Sequence, residues 1–272
     1  IANAAEPRAV TDFQASALRH LAETDPAFPS PRIRPTRGGE TSVAIEDAQG
    51  RAHRLRVMSW LDGAMMADGN PGSLAASMGR CLARLDSALA DFAHPGDTYT
   101  LPWDISNAQL AAAKAGMIDD ASLRRVCERH FEHFKSAIAP SLGELRRQVI
   151  HNDFNPGNVL VDPTDHERIV GIIDFGDMLR APLVVDVATA ATYLAIGHPD
   201  PRSEIDRFLS TYEQSIPLTE QELALIDDLI VTRLVVSVTI GHWRARQFPD
   251  NRRYIMVTQK RTIALLRQMT GE

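Results

Sequence analysis

The chain has 272 residues, 44% apolar and 24% charged, which is enough to bury a full core and too balanced for disorder or a fibre. Its net charge of −6 argues against a nucleic-acid or anionic-membrane surface, since both need clustered Lys and Arg. No apolar run reaches the roughly 18 residues of a membrane span; the nearest, Leu229 to Ile240, is broken by Thr232, Arg233, Ser237 and Thr239.

Ile1 opens the chain without an initiator Met, inside what reads as a strand, so upstream residues are expected. Val10, Phe13, Ala17, Leu18 and Leu21 then recur at helical spacing, until the Pro-rich stretch from Pro26 to Pro35 ends that helix. Val43 to Ile45 and Leu55 to Trp60 are short apolar runs joined by the polar link Glu46 to Gly50, which predicts a hairpin.

Beyond Pro71 the period lengthens. Leu74, Met78, Leu82, Leu85 and Leu89 predict one helix, and Leu123, Val126, Phe131, Phe134 and Ile138 a second. Val159 to Val161 and Ile169 to Ile173 flank the turn Asp162-Pro163-Thr164-Asp165 as another hairpin, and from Pro182 onward the chain reads as helices broken near Gly197, Ser215 and Phe248. Cys81 and Cys127 fall in separate helices outside any metal spacing, so both read as free thiols of a reducing, cytoplasmic compartment.

The chemistry concentrates at the second hairpin. His151-Asn152-Asp153-Phe154-Asn155-Pro156-Gly157-Asn158 fits H-x-D-x-x-x-x-N, and Ile173-Asp174-Phe175-Gly176-Asp177 follows it across the strands. Phosphoryl transfer needs a carboxylate beside the acceptor hydroxyl and hard oxygen ligands for magnesium. Asp153 suits the first role, Asn158 and Asp174 the second, and His151 reads as structural support that pins the loop. Either motif alone is compatible with ordinary turn formers; the two in order are not easily so.

With these residues the chain resembles the aminoglycoside phosphotransferase and choline kinase-like superfamily, and within it hydroxylysine kinase-like proteins. The resemblance rests on Gly171 to Met178, Asp186-Val187-Ala188 and Tyr193, and extends through Val57 to Gly63, Leu101 to Asp104 and Ser237 to Trp243. It implies an α+β, protein-kinase-like two-lobed fold. Residues 1–62 would be the remainder of a nucleotide-binding lobe, and 63–272 a mainly helical lobe carrying the catalytic loop. Met58, Ser59, Trp60 and Leu61 would be the interlobe link that meets the base of ATP or GTP, with Mg2+ as cofactor. A fused pyridoxal-phosphate phospho-lyase is a further implication.

Only nine residues separate Gly176 from Asp186, too few for a protein-kinase activation segment, so a small-molecule hydroxyl acceptor is expected. The family's phosphate-covering loop and strand Lys are expected before Ile1, and Gln14 stands where its helix Glu usually pairs with that Lys. On the acceptor side, Trp103 and Asp104 suit an ammonium group, or equally a buried Trp beside a helix-capping Asp. Asp177 lies close enough to the metal Asp to line the acceptor pocket, and Asp186 is expected to brace the catalytic loop. Arg233, His242 and Arg244 offer cations for a substrate carboxylate but read more simply as a solvated face. Two other function classes remain open at this stage: a catalytically impaired nucleotide-binding regulatory module, and a divalent-metal hydrolase built on His151, Asp153, Asp174 and Asp177.

Overall fold

The computed structural model describes residues 7–65, 74–257 and 259–272, so the strand read at Ile1 lies outside the described residues. Helix α1 (Arg8–Thr24) buries Val10, Phe13, Ala17, Leu18 and Leu21 on one face, as their spacing predicts. Strand β1 (Ile33–Arg34) follows, then the expected hairpin of β2 (Val43–Glu46) and β3 (Ala52–Leu55), with Val43 opposite Leu55 and Glu46 opposite Ala52. Its turn is closed by the Asp47 carboxylate, which accepts the N–H groups of Gln49 and Arg51 at 2.9 Å each.

The run from Leu55 to Trp60 is not one continuous strand. Arg56 turns toward α1, donating to the Thr11 carbonyl and to Gln14, and this takes the chain out of the hairpin. Strand β4 (Val57–Met58) pairs with β1 instead, Met58 opposite Ile33. The chain then passes Gly63, where a Cβ would lie 2.8 Å from Val170 and 2.9 Å from Leu160, and enters β5 (Ala64–Met65). Only glycine permits so close a pass.

Helix α2 (Leu74–Leu89) and the shorter α3 (Gln109–Ala112) lead to α4 (Ala121–His133), which Asp120 caps by accepting from the N–H groups of Ser122 and Leu123. A wide turn over Phe134–Ile138 carries it into α5 (Ala139–Leu142). The chain then runs through β6 (Arg147–Ile150), the hairpin of β7 (Val159–Val161) and β8 (Ile169–Ile172), and β9 (Leu179–Pro182). Strand β9 returns to β6 with Ile150 opposite Leu179, while β5 joins the hairpin in the order β5-β7-β8. The two sequence motifs, His151 to Asn158 and Ile173 to Asp177, therefore lie on the loops that leave β6 and β8.

Five helices complete the chain: α6 (Leu183–Ala195), α7 (Pro201–Tyr212), α8 (Glu220–Gln247), α9 (Arg252–Ile255) and α10 (Gln259–Thr270). Nearly every residue of α6 is buried, and each Val or Leu so enclosed contributes about 1.5–3 kcal/mol. Helix α8 starts at a capping box between Thr219 and Glu222, and the buried Glu222 carboxylate is offset by Arg146 at 2.7 and 2.9 Å. The whole is an α+β architecture, with short sheets set among packed helices.

Candidate active site

The loop after β6 is fixed before any ligand arrives. Asp186, fully buried on α6, accepts from the backbone N–H of His151 at 2.7 Å and of Asn152 at 2.8 Å. Burial pushes this carboxyl upward while the two donors favour its charged form. His151 is fully buried and held below its ordinary value by desolvation, so it is neutral. Its Nδ1 accepts the N–H of Asp153, which leaves Nε2–H to donate to the Ile173 carbonyl at 3.2 Å. One imidazole thus joins the backbone of Asp153 to the strand end that carries Asp174.

Among the described residues, Asn152 and Asp174 are the two non-glycine positions with positive φ, at 64° and 60°. Such conformations cluster where the surrounding structure over-determines the backbone. The Ile173 N–H donates to the Asn158 carbonyl at 3.0 Å, which brings Asn158 and Asp174 side by side across the hairpin. The Asn158 amide nitrogen donates to the backbone oxygen and to Oδ2 of Asp153, each at 2.9 Å, which leaves its own oxygen as the group able to meet a cation. Among the described residues no group of three or more His, Cys, Asp and Glu gathers as an all-protein metal cage. Two adjacent hard oxygens fit Mg2+, an ion that takes one or two protein ligands and completes its shell with water and phosphate.

Asp153 opens onto a cavity of about 700 Å³ that Asp177, Trp103, Tyr193 and one face of α8 also line. The Trp103 indole N–H donates to Asp177 Oδ2 at 2.8 Å. Burial, with the Asp153 charge adding to it, pushes the Asp177 carboxyl up to about 6. Asp104 does not reach this cavity. Its carboxylate is 2% exposed and taken up by Ser106 N (2.9 Å), Ser106 Oγ (2.8 Å) and Asn107 Nδ2 (2.8 Å), so the capping alternative holds and Asp104 leaves the acceptor set.

Arg233 corrects the reading of a solvated face. It is 4% exposed and donates to Asp153 Oδ1 at 3.1 Å, to the Tyr193 hydroxyl at 2.9 Å and to the Trp103 carbonyl at 2.7 Å. Its guanidinium also stacks over the Tyr193 ring, 5.1 Å from the centroid. The signal was present in the sequence: a lone Arg inside an apolar helical run is buried, and a buried cation needs a carboxylate. His242 is engaged with the Val238 carbonyl of its own helix, whereas Arg244 lines the cavity.

A second, smaller cavity of about 140 Å³ lies on the other side of the 174–177 turn, lined by Asp174, Gly176, Met58, Arg56 and Gln14. Ser59 is tied to Arg32 through both its N–H and its hydroxyl, at 2.9 Å each. Trp60 is 87% exposed and Leu61 is half-buried. Of the predicted link, then, Met58 is the residue that lines this cavity. Gln14, only 2% exposed, accepts from Arg56 at 3.1 Å and donates to the Gly176 carbonyl at 2.9 Å, so a neutral bridge ties α1 to the turn after Asp174.

The His151–Asn158 loop and the Asp174–Asp177 turn, set between two cavities, have the arrangement of a kinase-like phosphotransferase. Residues 1–225 match the model of the phosphotransferase enzyme family, and the chain belongs to that family. It is 27% identical over 247 residues to the hydroxylysine kinase of Mus musculus, a match spanning 86% of this chain and 66% of the mouse protein. The chain thus spans about two thirds of that relative's length. In fold it is similar to a microcompartment-associated aminopropanol kinase (TM-score 0.74, 19% identity, 98% and 83% of the two chains). It is also similar to the amicoumacin kinase hAmiN solved with AMP-PNP, Ca2+ and Ami (TM-score 0.68, 16% identity, 95% and 78%).

Proposed function

We propose that the protein is a small-molecule kinase that transfers the γ-phosphoryl group of ATP or GTP to a hydroxyl of an amine-bearing acceptor, in the manner of a hydroxylysine-like amino alcohol or an aminoglycoside. The observation that carries this is the 174–177 turn, which presents Asp174 to the smaller cavity and Asp177 to the larger, beside Asp153. Nucleotide in one and acceptor in the other would meet at that turn. Residues 1–62 form part of the nucleotide lobe and 63–272 the helical lobe, with the change of lobe at Gly63, where the chain lies flat against β7 and β8.

In this reading Asp153 accepts the hydrogen bond of the acceptor hydroxyl and takes its proton late in transfer. Arg233 and Asn158 hold one carboxylate oxygen each, which fixes its direction. Asn158 and Asp174 hold Mg2+, which when bound neutralises charge on the transferring phosphates. Met58 borders the base, and Asp177 with Trp103 faces the acceptor amine. His151 and Asp186 position the loop without touching substrate. The free thiols of Cys81, half-buried, and Cys127, buried, are both pushed up to about 12 by desolvation and suit a cytoplasmic location. None of the relatives named above is described as fused to a phospho-lyase, so that expectation gains no support.

The neutral Gln14 favours one second reading, a catalytically impaired nucleotide-binding module, because an amide supplies no charge where the family resemblance implies a Glu paired with a Lys. One experiment separates the two: diphosphate release by the full-length protein with ATP or GTP, Mg2+ and a panel of hydroxylated amines. Stimulation by an acceptor, lowered about 10³-fold in Asp153→Asn with nucleotide binding kept, is the kinase outcome. Nucleotide binding with no turnover for any acceptor is the module outcome.

A further inference from the structure

One face of α8 forms the long wall of the larger cavity: Arg233, Val236, Ser237, Ile240, Gly241 and Arg244 follow at three- and four-residue steps. Arg233, at the catalytic end, is consumed by Asp153, Tyr193 and Trp103. Arg244, eleven residues on, stands about 16 Å further along the axis. It is exposed to the cavity, and no hydrogen bond or ion pair of its guanidinium forms among the described residues. A cation left open in a substrate-sized pocket has room for an anion of the ligand.

Beside it lies Gln259, at the start of α10. This side chain is 5% exposed and lines the same cavity, yet its Oε1 has no hydrogen-bond partner among the described residues. Its position is tightly set by Gly241, where a Cβ would come within 2.7 Å of the Gln259 amide nitrogen. Gly241 precedes Arg244 by one turn on the same helix face. The far end of the cavity therefore offers a guanidinium and, about one turn away, a buried acceptor oxygen without a donor. An ammonium and a carboxylate on one carbon supply the complement of both.

We infer that Arg244 and Gln259 hold the α-carboxylate and α-ammonium of the acceptor, which makes the acceptor a hydroxylated amino acid rather than a sugar or a simple amino alcohol. This rests on the kinase reading above and adds to it a specificity-determining subsite. Side chains of a helix lean toward its N-terminus, so Arg244 reaches back toward Arg233 and leaves roughly 10 Å to the catalytic end. An extended side chain with its hydroxyl on the fourth or fifth carbon covers that distance, and a serine-sized acceptor does not. Asp177 is then left for an amine near the hydroxyl.

The test is calorimetric binding to the full-length protein, in the presence of a non-hydrolysable nucleotide and Mg2+. Its probes are 5-hydroxylysine, the same molecule without its carboxylate, and the same molecule without its α-amine. The wild type is expected to bind the complete amino acid most tightly. Arg244→Gln should cut the preference for the carboxylated over the decarboxylated probe about 30-fold, and Gln259→Leu the preference for the α-amine about tenfold. A preference unchanged in Arg244→Gln, or a wild type that binds the decarboxylated probe equally well, overturns the subsite. Because binding is read directly, the result is separate from turnover. Tight amino-acid binding without diphosphate release sinks the kinase reading and keeps the subsite, whereas efficient phosphorylation of carboxylate-free acceptors does the reverse.

Discussion

If Asp177 faces the acceptor as proposed, its carboxyl, pushed up to about 6, makes acceptor recognition sensitive to acid. Below that pH the group is neutral and offers an ammonium no charge, so affinity for an amine-bearing acceptor should fall as pH drops through 6 and Asp177→Asn should flatten the profile. In the free protein the sign for stability is opposite: the folded state retains the proton more firmly than the unfolded chain, so this group's contribution declines as pH rises toward 6. Titration calorimetry between pH 5 and 7 checks the first statement, and a flat affinity there means that Asp177 faces no amine. Arg233 is a stricter case, since its partner Asp153 is itself largely buried. Arg233→Ala should cost about 3–5 kcal/mol in denaturant melts by leaving that carboxylate unpaired. At this scale the meeting of Asp153, Asn158 and Asp174 was legible, because the two motifs bracket one hairpin. The burial of Arg233 was signalled by the apolar run around it, but its partner was not, nor was the place of Gln259, because both depend on which helix faces the 151–158 loop.

Helix α2 meets α7 at one especially close approach. A Cβ on Gly79 would lie 2.2 Å from Thr211 Oγ1, 2.5 Å from the Phe208 carbonyl and 3.1 Å from the Tyr212 N–H nitrogen, all on α7. Two of the three are backbone atoms that no rotamer change can move, so Gly79→Ala must push the helices apart, at about 1–3 kcal/mol. A lowered denaturation midpoint with unchanged slope is the expected signature, and an unchanged midpoint would mean that the helices do not pack this closely. The same pair buries Asp86, which accepts from the Tyr212 hydroxyl at 2.7 Å while its Oδ1 finds no partner among the described residues. Burial and the nearby Asp186 charge hold this carboxyl well above its ordinary range, so Asp86→Asn should preserve stability at neutral pH and reduce its decline as pH rises. Elements with a long apolar period, such as α1, α2 and α8, were legible in the sequence, as was the β7–β8 hairpin. Strand β9 was not, because Leu-Arg-Ala-Pro shows little of the alternation of a strand and is extended only by pairing with β6. Likewise, the Leu55 to Trp60 run is divided by a tertiary contact, Arg56 to α1, which periodicity cannot express.

For the molecule as a whole, the proposed nucleotide site lies where α1, β4 and the turn after β8 converge, and the bonds that tie this region together include Gln14 to Gly176, Arg56 to Gln14 and to the Thr11 carbonyl, and the Ile172 N–H to the Pro29 carbonyl. A ligand spanning them stabilises the folded state by mass action, about 2.7 kcal/mol at one hundred times its dissociation constant. The metal ligands decide how that gain divides. With two protein side chains offered to the ion and no larger acidic or histidine cluster among the described residues, Mg2+ alone has too few donors to bind tightly, and phosphate oxygens must complete its shell. Thermal melts should therefore show little shift with Mg2+ alone, a clear rise with Mg2+ and nucleotide together, and loss of the metal-dependent part on chelation or in Asp174→Ala. A large shift from Mg2+ without nucleotide would instead point to a self-sufficient metal centre, the property that a metal hydrolase at His151, Asp153, Asp174 and Asp177 requires. The neutral, backbone-bound state of His151 already weighs against that reading, since both ring nitrogens are engaged and neither is left to coordinate an ion.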